Sequence, residues 1–141
     1  MDISINYWAV LLAAVSSMVV GYLWYSPAVF GKLWMKLSGA TMDKKLTGVQ
    51  MAIMYGSTFV ASLLTAYILA HMSFLSNSFF HHSFLQDTFT TAFWLWAGFT
   101  AARFFVHDVF ESRSTKLTTL NIGHELVTVA IMALVIGYMG I

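Results

Sequence analysis

Residues 6–40 read NYWAVLLAAVSSMVVGYLWYSPAVFGKLWMKLSGA, and this stretch decides the fold. No charged residue occurs from Ile3 to Gly31. A helix that crosses a bilayer needs about 20 mostly apolar residues, so a spanning helix is expected from near Ile5 to Tyr25. Ser26 then offers an N-cap and Pro27 a first helical residue with no N–H to orphan. Phe30, Leu33, Trp34 and Leu37 follow at helical spacing, Lys32 and Lys36 lie on the opposite face, and Gly39 can end the helix. The pattern predicts a short amphipathic helix over 27–38, lying in the membrane interface with Trp34 at headgroup depth. The same apolar face suits packing on the other helices, and both uses are compatible.

The rest of the chain extends this reading. The 141 residues make one domain. Apolar residues form 59% and charged residues 9%, where a soluble domain carries about 25% charged. So little charge cannot cover a surface that faces water. The net charge of +1, with no basic block, argues against a nucleic-acid partner. There is no cysteine, which excludes disulfides and thiolate chemistry. The first segment has neither a positive n-region nor a small-x-small cleavage site, so it reads as a retained helix rather than a signal peptide.

Three further spans are expected, near Thr47–Ala70, Thr88–Val106 and Leu117–Tyr138. The last two contain Arg103 and Glu125. The fold class is therefore all-α, an integral membrane four-helix bundle with one interfacial helix. Lysine and arginine set its orientation. Lys32, Lys36, Lys44 and Lys45 lie in the first loop, Arg113 and Lys116 in the third, and none in the middle loop or at either end. The first and third loops are expected in the cytoplasm and both termini outside it, in a cell inner membrane. The middle loop, Met72 to Asp87, carries Phe74, Phe79, Phe80 and Phe84 around His81 and His82; it is expected to dip into the outer interface, with Asp87 capping the third helix.

Lipid removes most of the hydrophobic drive between helices, so small residues that allow close approach must supply much of the packing. Every expected helix has such a stripe: Ala13, Ser17 and Gly21; Gly48, Ala52 and Gly56, with Ser62, Ala66 and Ala70; Gly98 and Ala102; Ala133 and Gly137. These stripes serve the fold of one chain or a contact between chains, and spacing alone does not divide them.

Glu125 is the first residue to weigh as a site. A bare carboxylate inside a membrane is costly and calls for a partner or a wet cavity. Arg103 approaches from the same side and His107 follows it by one turn. Asn121, Glu125 and Thr128 share a face of the last helix, with His124 beside them. Two readings stand. One is a polar pocket of Arg103, His107, Asn121, His124 and Glu125. The other is a structural Arg103–Glu125 pair that sets helix register. Metal and protease readings are poor. His124-Glu125 starts like a zinc-protease pattern, but Thr128 stands where its second histidine belongs. His71, His81 and His82 form no convincing metal set, and no metal or cofactor is expected. Nucleophile-elbow and phosphate-loop patterns are absent, and the tryptophans read as belt and packing residues.

Leu23-Trp24-Tyr25-Ser26-Pro27-Ala28-Val29-Phe30-Gly31-Lys32-Leu33-Trp34-Met35-Lys36 resembles the signature of domain-of-unknown-function family 1761. Asn6-Tyr7-Trp8 is similar to that family's start, and Phe110-Glu111-Ser112-Arg113 and Asn121-Ile122-Gly123 resemble its second half. The resemblance covers nearly the whole chain; His124-Glu125 departs from the aromatic or apolar residues expected there. It implies a small bacterial-type membrane protein with four helices and implies no activity. It also draws attention to the Trp-Tyr-Ser-Pro corner, where Tyr25 and Ser26 share the expected depth of Arg103 and Asn121 and join the candidate pocket.

Three function classes follow. The first is a non-enzymatic protein, a homo-oligomer or one that binds a membrane-protein partner. The second is a small proton-coupled transporter built on Glu125 and Arg103. The third is an enzyme acting on a membrane-soluble substrate with Tyr25, Arg103, His107, His124 and Glu125 as acid–base groups. With no catalytic motif in the chain, the first ranks highest.

Overall fold

A computed structural model describes residues 4–40 and 46–140. Lys44 and Lys45, which contributed to the expected orientation, lie outside the described residues. The described chain is helical and contains no strand. Its elements are α1 (Tyr7–Trp24), α2 (Gly31–Ser38), α3 (Gly48–Phe80), α4 (Phe84–Leu95), a π-helical segment (Trp96–Ala101), α5 (Ala102–Phe110) and α6 (Thr115–Met139). Each of α1, α3 and α6 is long and apolar enough to cross a membrane, as a membrane protein requires. α4, the π segment and α5 follow one another without a break.

Side chains start these helices in ways the sequence makes plain. The Asn6 side chain accepts from the Ala9 N–H at 3.2 Å. Thr47 and Gln50 form a reciprocal capping box. Ser83 accepts from the Gln86 N–H at 3.3 Å and Ser114 from the Leu117 N–H at 3.2 Å. Asp87 is therefore not the cap of the helix it was expected to start; Ser83 is, and Asp87 sits in the first turn.

The second helix also departs from expectation. It runs on to Phe80 instead of ending at Ala70, so most of the expected aromatic loop is helix. Nothing between Ala70 and Phe80 breaks it, since that run has neither glycine nor proline. It ends at His81, whose φ of 58° is left-handed. Asn77 then ties the turn: its Nδ2 donates to the His82 carbonyl at 2.9 Å and to Asp87 Oδ2 at 2.8 Å. His82 Nδ1 meets Asp87 Oδ1 at 2.9 Å.

The corner after α1 is built by backbone rather than by the expected cap. α2 starts at Gly31, not Pro27, and its cap residue Phe30 makes no side-chain bond. Ser26 Oγ turns back to donate to the Leu23 carbonyl at 2.7 Å. The Ser26 carbonyl accepts from the N–H groups of Val29, at 3.1 Å, and Gly31, at 2.8 Å. A Cβ on Gly31 would collide with the Tyr25 and Ser26 carbonyls, so glycine is required by the close approach. Gly39 ends α2 in the left-handed region, at φ 71°.

The packing is uneven along the helices. At the end that holds the α3–α4 hairpin, α1, α3, α4 and α6 meet in a core of small residues. Ala13, Ala14, Ala66 and Ala133 are fully buried, with Ala9, Ala70 and Ala92 beside them and Leu69, Met132 and Ile136 filling the centre. Gly137 faces the Leu85 backbone so closely that a Cβ would stand 3.0 Å from Leu85 Cα. At the other end, that of the α1–α2 corner, the helices separate. Every residue from Leu46 to Thr58 is exposed whichever face of α3 carries it, and so is every residue from Ala102 to His107 on α5.

Candidate functional site

The parting helices leave two cavities, and α6 stands between them. The larger, about 690 Å³, opens between α1, α3 and α6. Met18, Met54, Tyr22 and Tyr55 line its apolar sides, and Ser17, Thr58, Thr65 and Thr128 put hydroxyls on its walls. Ser17, Thr58 and Thr65 donate to carbonyls of their own helices, at 2.7, 2.8 and 3.0 Å. Their oxygens keep lone pairs that can accept. The smaller cavity, about 550 Å³, lies on the α5 side of α6 and is lined by Phe99, Phe104, Arg103, His107, Asp108 and Glu111 among others. Glu125 is on the walls of both.

The corner positions one wall of the larger cavity. α1 ends at Trp24, so Tyr25 turns inward and its hydroxyl donates to Asn121 Oδ1 on α6 at 3.2 Å. The Tyr25 ring lies 4.9 Å from the His124 ring and 5.5 Å from Trp34. Trp24 packs on Phe30 at 4.6 Å and edges His124 at 5.9 Å. His124 Nδ1 meets Glu125 Oε1 at 3.2 Å, and its Nε2 meets Thr128 Oγ1 at 3.4 Å. The Nδ1–H tautomer satisfies both contacts, donating to the carboxylate and accepting from the threonine. Four of the sequence-picked residues, Tyr25, Asn121, His124 and Glu125, thus form one connected group, with Ser26 on the same cavity wall.

Arg103 and His107 are placed on the other side of α6. Among the described residues, Arg103 makes no ion pair, with Glu125 or any other group, although both line the smaller cavity. His107 pairs with Glu111, one turn on, at 3.0 Å. The carboxylate that is tied down is Asp108, which the sequence reading passed over. It is buried and accepts from Thr118 Oγ at 2.6 Å. Arg113 Nε lies 3.8 Å from Asp108 and 2.6 Å from Glu111. The Arg113 N–H also returns to the Asp108 carbonyl at 2.9 Å, across Ser112 at φ 55°. The Glu-Ser-Arg run is therefore the latch of the α5–α6 turn. Its signal in the sequence was local: a helix-ending Asp-x₄-Arg, followed by the Ser-x₃-Thr that starts α6.

The Asn77–His82–Asp87 cluster was passed over too. Asp87 is buried, and its two oxygens are met by Asn77 Nδ2 and His82 Nδ1, so the carboxyl is satisfied within the turn. No group of three metal-ligating side chains occurs among the described residues.

The Trp96 indole, on the π segment, donates to the Ile122 carbonyl of α6 at 3.1 Å. This ties the two helices just before they part. π-helical segments are often found at functional sites, and this one is where α5 diverges from α6.

The architecture is all-helical, with three segments long and apolar enough to cross a membrane, as in a membrane protein, and with polar groups gathered beside α6 where the helices part. The chain belongs to the family described as "Protein of unknown function (DUF1761)", which it matches over residues 8–137. No curated protein and no solved structure matches it.

Proposed function

We propose that the protein is a non-enzymatic membrane protein that works by assembly, with a second copy of itself or with a partner helix, through the exposed half of α3. In this reading the chain spans an inner membrane four times, with α4, the π segment and α5 as one crossing. α2 and the α5–α6 turn lie at the cytoplasmic face and both termini lie outside it. Lys32, Lys36, Arg113 and Lys116 support that orientation.

The observation that carries the proposal is the division of the small-residue stripes. Ala13, Ser17, Ala66, Ala70 and Ala133 are consumed in the core. Gly48, Ala52 and Gly56 are not: all three are exposed, and a Cβ on either glycine would meet nothing within 4 Å. Such a face allows the backbone of another helix to approach closely.

Because the chain has no cysteine, single cysteines report single positions. Ala52→Cys should give a disulfide-linked dimer on mild oxidation in native membranes if a second copy docks there, since the bond needs Cα atoms within about 7 Å. Buried Ala133→Cys should not. Docking of a different membrane protein would instead yield a heavier adduct from a photo-crosslinker at Ala52. A strict monomer with no adduct would sink the reading.

A second reading, a small proton-coupled carrier, is favoured by the place of Glu125 on the walls of both cavities. It expects proton-driven flux in liposomes that Glu125→Gln abolishes. Absence of flux from the wild type removes it.

A further inference from the structure

The smaller cavity carries an inference independent of the assembly reading. It is a cleft between α5 and α6 whose upper walls are apolar, with Phe99 77% exposed, and whose other end is ionic. Among the ionic groups, Asp108, Glu111, Arg113 and His107 are tied to one another. Arg103 on α5 and Glu125 on α6 stand one on each wall: Arg103 makes no ion pair among the described residues, and Glu125 is met by His124 at Oε1 only, so that Oε2 keeps its capacity to accept. They carry opposite charge, line the same space and do not close on each other.

Their depths agree. Helical side chains lean toward the N-terminus of their helix. α5 and α6 run in opposite directions through the turn at Glu111–Ser114. Arg103 therefore leans away from that turn and Glu125 leans toward it. Arg103 stands seven positions before the last residue of α5, and Glu125 ten positions after the first residue of α6. The opposed leans bring the two charged heads toward one level.

We propose that this cleft binds a glycerophospholipid whose headgroup carries a primary ammonium beside its phosphate, the phosphatidylethanolamine type, with the phosphate on Arg103 and the ammonium on Glu125. Charge complementarity selects the occupant. An anionic headgroup would satisfy Arg103 and leave Glu125 facing a like charge. A choline headgroup has no N–H to give the carboxylate. A guanidinium binds phosphate through its planar fork. The acyl chains then follow Phe99 and Phe104 along the apolar part of the cleft.

The test is native mass spectrometry of the full chain in mild detergent. An equimolar mixture of dioleoyl phosphatidylethanolamine, phosphatidylcholine and phosphatidylglycerol is added. The wild type should retain the ethanolamine lipid about tenfold over the choline lipid, the size of one charge-assisted hydrogen bond. Arg103→Gln and Glu125→Gln should each abolish that preference, while Arg103→Lys, which keeps the charge, should retain part of it. Thermal unfolding of each variant without lipid is followed in parallel. If one glutamine variant does not fold, the other and Arg103→Lys still decide. Equal retention of the three headgroups, equal retention of the glycerol and ethanolamine lipids, or a preference that survives both glutamine variants would overturn the proposal. So would a double-mutant cycle in which Arg103 and Glu125 are equally coupled with and without the ethanolamine lipid, because the two would then simply pair with each other.

Discussion

The two ends of this molecule are made from the same residue types and packed in opposite ways. At the hairpin end, alanines and Gly137 bring four helices into contact, and Asn77, His82 and Asp87 close the turn. At the corner end, Gly48, Ala52 and Gly56 stand clear, α5 is exposed, and the only buried carboxylate among the described residues there is Asp108. The lesson is that a small-residue stripe is a capacity for close approach and not evidence of contact. Where helices in lipid have no hydrophobic drive to meet, the contact forms only if the partner's face is equally small. Ala9, Ala13 and Ala14 of α1 share one buried core with Ala66 and Ala70 of α3, while the first turns of α3 are exposed on every face.

The comparison can be broken most strongly at Gly137. Gly137→Leu drives a side chain into the Leu85 backbone. It should destabilise the fold by about 3 kcal/mol, the upper range for overpacking, seen as a lowered midpoint in tryptophan-monitored thermal unfolding. The corner end has one comparable point of closure. Thr118→Val removes the 2.6 Å hydrogen bond to buried Asp108 and should lose about 1–3 kcal/mol, the cost of a buried acceptor left short of a donor. It should also raise hydrogen exchange over 108–118 while leaving the hairpin end protected.

The hairpin turn is the next point. Asn77→Leu removes the 2.8 Å bond to buried Asp87 and the 2.9 Å bond to the His82 carbonyl. It should cost about 1 kcal/mol, read as faster hydrogen exchange over 77–87 while the corner end is unchanged.

Smaller still is Trp96→Phe. It deletes one indole bond to the Ile122 carbonyl and should cost about 0.6 kcal/mol, the average for interhelical hydrogen bonds in a membrane. The smallest effect on stability is expected at Gly56→Leu, within about 0.5 kcal/mol for an open position. The same substitution should weaken the Ala52→Cys cross-link. A large loss of stability there would mean that the face is already occupied within the chain.

Much of this was legible. The uncharged run to Gly31, the break at Ser26–Pro27, the lysines on one face of α2 and the glycine that ends it are local features, and local hydrogen bonding and apolarity are what a sequence displays. Reading further, hydropathy alone ended the second helix at Ala70, because the polar and aromatic residues beyond it resemble an interface. The helix continues because backbone hydrogen bonding needs only the absence of a breaker. Ser26-Pro27 has the right residue types for a cap. Yet the cap was not used, since the Ser26 hydroxyl turns back to the Leu23 carbonyl of α1 and the next helix starts only at Gly31. The expected Arg103–Glu125 pair was judged from depth alone, and depth says nothing of the lateral distance between α5 and α6.

What the sequence by itself determined is therefore where the apolar helical segments lie, though not all of their ends, and that a carboxylate, an arginine and two histidines lie among them. What only the tertiary structure decided is how those segments are shared out. It placed Tyr25 on Asn121 and His124, put Arg103 across a cleft from Glu125, and gave the structural pairing to Asp108 and Arg113 instead. It also spent the alanine stripes inside the molecule and left Gly48, Ala52 and Gly56 outside. The reason is physical. Helix formation is set by each segment's own bonds and its transfer into an apolar medium, whereas contact and ion pairing depend on interaxial distances that no single helix contains.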